Sequence, residues 1–129
     1  MLSILLGEKI VDQLYLAIPE FEKYALENTD PKFIKNAYLV YDPFGSFLKD
    51  WIWKGGPIGL IDRSYSFINS LCETDDKDIK ELLRVTFLES MVDTKKVIDL
   101  SRSKLKGEAL IIFEEVINGP MFDGAKYAK

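Results

Sequence analysis

The side chains able to do chemistry in this sequence are almost all carboxylates: 21 aspartates and glutamates stand beside one cysteine, Cys72, and no histidine. Without histidine the chain lacks the usual general base near neutral pH and the usual nitrogen ligand of zinc and haem. Acid–base work would then fall to two carboxylates whose surroundings push their pKa values apart. Candidate pairs exist in Asp75 with Asp76 and Glu114 with Glu115, but adjacent residues on a helix point in different directions and frame no site. The run Asp75-Asp76-Lys77-Asp78 has the acidic density of a calcium loop, yet it lacks the central glycine and the closing bidentate glutamate. Cys72 has no imidazole to activate it and sits near a helix end, the setting of a buried structural thiol. The glycines of Trp53–Gly59 lack the lysine and hydroxyl spacing of a phosphate loop. We therefore expect no catalytic residue, no metal ligand and no cofactor site; an enzyme with two convergent carboxylates ranks last among the readings.

The elements around these groups read as helices. Ile10, Val11, Leu14, Tyr15, Ile18, Phe21 and Ala25 recur at three and four positions, predicting a helical stripe over 7–27 that Pro19 either kinks or breaks at Ile18. Asp30 and Pro31 suit a helix start, with a short helix expected from Lys32 to Val40. Asp42 before Pro43 signals another start, with Phe44, Phe47, Leu48 and Trp51 in helical register and the Lys54–Pro57 turn as its end. A strand over 36–42 has the right residue types but no second strand to pair with. Ile58, Ile61, Tyr65, Ile68 and Leu71 continue the helical step until Thr74 or Asp75 caps the next helix. That helix carries Ile79, Leu82, Leu83, Thr86, Phe87 and Met91, with Asp75, Asp76 and Asp78 crowding its positive first turn. Val97, Ile98 and Leu100 mark a brief helix, and Ala109 to Ile117 a last one closed by Gly119 and Pro120. The expectation is an all-α single domain, 1–129, of six or seven short helices packed as antiparallel hairpins, with 120–129 a loosely ordered tail.

Charge narrows the partners. The formal charge is −4, which disfavours nucleic-acid backbones and anionic membranes, because both need a basic face. Acid is uneven: residues 1–30 hold six acidic against two basic side chains, and 61–90 seven against four. A cationic protein would find local patches there, although a solvated surface is the ordinary reading of such runs. One cysteine, no basic leader and no apolar run of spanning length point to a cytoplasmic protein. Of the aromatics, Phe44, Phe47 and Trp51 read as core, whereas Trp53, two residues on, must face elsewhere and is a candidate binding residue.

The run Ser64–Asp93, SYSFINSLCETDDKDIKELLRVTFLESMVD, resembles a pattern in small, uncharacterised bacterial helical proteins: an aromatic-rich helix, an acidic break, then LL-x-V-x-F-L-E and an acidic stop. It covers about a quarter of the chain. The whole chain, small, acidic and without catalytic machinery, also looks like the immunity protein of a contact-dependent growth inhibition pair. That likeness is one of type, because immunity proteins vary widely in fold and sequence. The resemblance implies a helical inhibitor that binds a cognate toxin domain, a basic nuclease, and covers its cleft with acid. Asp75, Asp76, Asp78 and Glu81, or the side bearing Asp12, Glu20 and Glu22, would supply that surface. Helix capping and solubility are the competing account of each of these residues. The other reading is a self-associating helical adaptor, and a homo-oligomer is compatible with either.

Overall fold

Local capping chemistry explains where the helices begin. Ser3 Oγ accepts a bond from Leu6 N at 3.1 Å and opens α1, Ile4–Ala17. Ile18 leaves helical geometry (φ −128°, ψ 76°), and Pro19 starts α2, Pro19–Asn28, so the first stripe is two helices broken at Ile18. Ile18 is itself fully buried, which anchors the corner in the core. Asp30 caps a single 3-10 turn, Pro31–Phe33. The computed structural model describes residues 2–119, and among these it is all-helical, with seven α-helices and no strand.

Two expected boundaries differ. Instead of a helix from Lys32 to Val40, the chain makes only the 3-10 turn and begins again when Asn36 accepts from Leu39 N at 3.1 Å, opening α3, Ala37–Lys54. The interruption frees the Ile34 carbonyl, which takes the Tyr15 hydroxyl at 2.7 Å. Nor does Pro43 start a helix: it lies inside α3. Proline removes the bond that would reach the Leu39 carbonyl, but Leu39 is exposed, so water can satisfy that group. The buried stripe Val40, Tyr41, Phe44, Phe47, Leu48 and Ile52 runs unbroken beneath it. Gly55, at φ 85°, ends the helix in the left-handed conformation that glycine adopts freely.

α4, Ile58–Cys72, and α5, Lys77–Leu83, follow. Without a break, α5 widens into a π-helical turn, Arg84–Leu88, closed by the Glu89 N–H to Arg84 carbonyl bond at 2.9 Å. Thr86, Phe87 and Leu88 of this wider turn are buried in succession, and the smaller rotation per residue of a π-turn keeps the three closer to one face than an α-turn would. α6, Lys95–Lys104, is capped by Thr94, and α7, Gly107–Ile117, ends at Asn118 rather than at Gly119. Pro120 and the expected loose tail lie outside the described residues.

α1 packs on α2, α3 and α4, while α4 packs on α5, α6 and α7. Between these groups runs a chain of rings: Phe21 meets Phe44 at 5.1 Å and Phe47 at 5.3 Å, and Phe44 meets Phe87 at 5.5 Å. Two buried hydroxyls tie the layers, Tyr41 donating to the Ile10 carbonyl at 2.7 Å and Tyr65 bonding Ser101 Oγ at 2.8 Å. The segment most strongly patterned in sequence thus serves the core. Among the described residues, no helix is long and apolar enough to cross a membrane.

Candidate partner-binding surface

The acidic break before α5 is built from caps. Thr74 Oγ1 accepts from Asp76 N at 3.2 Å, and the cap falls at Asp76, one residue beyond Asp75 and two beyond Thr74. Asp76 is the N-cap, its Oδ1 taking Asp78 N at 2.8 Å and Ile79 N at 3.2 Å. Such a cap is worth about 1 kcal/mol. Only Asp78 of the three aspartates lies within the first turn, half-buried, while Asp75 is exposed and outside the helix.

A second helix start opens beside the first. Gly107 (φ 57°) turns the chain into α7, whose N-cap residue, Lys106, makes no side-chain cap bond. Glu73, arriving from the end of α4, supplies one: its Oε1 accepts from Glu108 N at 2.9 Å. Glu108 in turn meets Lys80 at 3.7 Å. Cys72, Glu73, Thr74, Asp75, Lys80 and Glu108 line an open depression of about 300 Å³. Capping leaves the carboxylate charge in place, although the two helix dipoles offset part of it. Burial, with Glu108 and Glu73 adding to it, pushes the Cys72 thiol up to about 12, so it is a protonated thiol at neutral pH. Among the described residues, no cluster of three or more carboxylates and thiols has the arrangement of a metal site.

Glu81 stands apart from this depression, exposed and facing Arg84 at 3.7 Å; Arg84 also reaches Glu115 at 3.1 Å. The second expected surface divides in two. Asp12 bonds Lys35 from the loop after the 3-10 turn, and the charges of Glu8 and Glu22 also act on that lysine, whose pKa the Asp12 bond raises first. Glu20 turns away to Arg63 of α4 in a two-bond pair, one at 3.1 Å, and the guanidinium lowers its pKa. Both pairs are well exposed, where ion pairs are worth little. Trp53 is 53% exposed at the last turn of α3, with Lys96 Nζ 4.7 Å from its ring centroid, a cation over the ring face.

The structure therefore gathers Asp75, Asp76 and Asp78 at one edge, brings Asp12 and Glu22 around Lys35, and leaves Glu20, Glu81 and Trp53 separate. Sequence reasoning missed Glu73 and Glu108, because a cap donated across 35 residues has no local signature. It also missed the exposed leucines of α1, which fell outside the buried stripe.

Residues 11–118 match a family described as a domain of unknown function, DUF7674. No curated protein and no solved structure matches the chain.

Proposed function

Since the chain belongs to the DUF7674 family, a domain of unknown function, we propose its role from its surface: it binds a basic protein through the acidic starts of α5 and α7. In the toxin–immunity setting that the sequence resembles, that partner is a nuclease toxin, and binding covers its substrate cleft. Neutralising such a toxin is work done in the cytoplasm, where this reading puts the chain.

The observation that carries the reading is the meeting of two acidic helix starts: Glu73, Asp75 and Glu108 line an open depression together with Lys80, and Asp76 and Asp78 stand beside it at the start of α5. A nuclease cleft is basic because it holds phosphates, so an acidic edge is attracted to it and competes with its substrate. Carboxylates that already serve as caps are held in fixed positions, which lowers the entropy lost when arginines and lysines of a partner bind them.

Co-purification with the polypeptide encoded immediately upstream, followed by titration at low and high salt, tests this. A tight complex with a basic domain that weakens as salt rises is the expected result; absence of a complex overturns the reading. Within such a complex, Asp75→Lys is the informative variant, because Asp75 is exposed and caps nothing. Its stability changes by less than about 0.5 kcal/mol, while the association rate at low salt falls about tenfold. Stopped-flow binding reads that rate, and a rate equal to wild type at both salt concentrations removes Asp75 from the surface.

A further inference from the structure

We propose that the outer face of α1 is a two-fold self-association surface on which a second copy of this chain docks antiparallel. α1 buries Ile10, Val11, Leu14 and Tyr15 and turns the opposite side to solvent. That outer side carries Leu5, 80% exposed, then Lys9, Asp12 and Leu16, 83% exposed. Spacings of four, three and four residues put all of them on one helix face. Beside Leu16, an apolar groove of about 330 Å³ runs between α1 and α4, lined by Leu16, Ala17, Phe67 and Leu71 with Gln13 and Ser70 at its edge. Leu16 lines this groove, and Leu5 extends the same exposed face about three turns towards the start of α1, so the face offers an apolar contact at each end.

The order of the residues selects the occupant. Leu5, Lys9, Asp12, Leu16 reads the same in reverse with the two charges exchanged. An antiparallel pair centred between Lys9 and Asp12 therefore sets Leu5 against Leu16 of the second copy and Lys9 against its Asp12, and the two-fold axis repeats both contacts. A parallel pair would oppose Lys9 to Lys9 and Asp12 to Asp12, and a one-turn slip would set leucine against charge. Asp12 already bonds Lys35 of its own chain, but a carboxylate has acceptor sites for both lysines. The surface does not depend on toxin binding and uses residues other than those of the α5 and α7 starts.

Sedimentation equilibrium of the full chain over a concentration series tests the proposal, with far-ultraviolet circular dichroism to verify folding of each variant. The wild type is expected to pass reversibly from monomer to dimer. Leu16→Glu raises the dimer dissociation constant about a hundredfold, because symmetry removes each leucine contact twice. Lys9→Asp also weakens the dimer, and adding Asp12→Lys restores it. The Leu5→Cys/Leu16→Cys double variant forms a covalent dimer under mild oxidation, since Cys72 is buried. A wild type that stays monomeric at the highest soluble concentration, or a dimer indifferent to Leu16→Glu, overturns the proposal.

Discussion

Phe87→Ala lowers the free energy of unfolding by about 3–5 kcal/mol, the usual cost of emptying a buried aromatic site. Phe87 is fully buried, and its ring lies 5.5 Å from that of Phe44 and 6.4 Å from that of Tyr65. It therefore joins α3 to α4 through the π-helical turn. The wide turn points three successive side chains inward, so neighbours cannot slide in to fill the space without losing their own contacts. A domain of this size is stable by only about 5–15 kcal/mol, and one substitution consumes a large share of that. Val85→Ala, in the same turn but 39% exposed, is the control and should cost less than about 1 kcal/mol. Urea unfolding of both variants decides the matter: equal losses would mean that Phe87 does not occupy the centre of the core.

Gly45→Val is the second large effect, a loss of about 2–3 kcal/mol through overpacking. Gly45 is buried within α3 where the π-helical turn and the residues after it cross, and a Cβ there would collide with Ser90 Oγ. Ser90 can rotate away only by giving up the bond its hydroxyl donates to the Phe87 carbonyl at 2.7 Å, a loss of about 1 kcal/mol, and its Cβ stays close to the added side chain. Alanine at position 45 would gain helix propensity of about 1 kcal/mol over glycine and lose it again to the same contact. Combining Gly45→Ala with Ser90→Gly separates the two terms, since the double variant keeps the propensity and removes the collision. A coupling free energy above about 1 kcal/mol in that cycle is expected, and simple additivity would rule out a close approach of the two segments.

Fold class was legible because burial imposes a period that the side chains cannot hide. Ile10, Val11, Leu14, Phe21, Leu82 and Phe87 lie where their spacing puts them, in the core. Boundaries were less legible where tertiary contacts outweighed local signals. Pro43 looks like a start because proline usually is one, yet it falls on a partly exposed side of α3, with Leu39 one turn before it exposed, while the buried stripe runs on the other side and lets α3 continue. The segment after Pro31 looks helical, but the Tyr15 hydroxyl competes for the Ile34 carbonyl and Asn36 restarts the chain. The π-helical turn left no mark in the apolar period, which α-helical and π-helical readings of Leu82 to Leu88 satisfy equally.

For the binding surface, Asp75, Asp76 and Asp78 were visible as an acidic break, whereas their company was not. Glu108 joins them only because α7 starts beside α5, a matter of packing across the bundle, and Glu73, two residues before Asp75, shows its capping role only once α7 is in place. Asp12, Glu20 and Glu22 looked like one side by their nearness in sequence, but the turn at Ile18 reorients α2, and Arg63 and Lys35 draw their carboxylates to different neighbours.

The lone thiol of Cys72 gives the molecule an internal stopwatch. Enclosed beneath the α5 and α7 starts and held protonated by a pKa near 12, it is closed to an alkylating reagent until the end of α4 lifts from its neighbours. Each labelled molecule then records one such opening. When alkylation outpaces reclosing, the labelling rate measures how often this edge breathes, and a bound partner that clamps it would slow the clock.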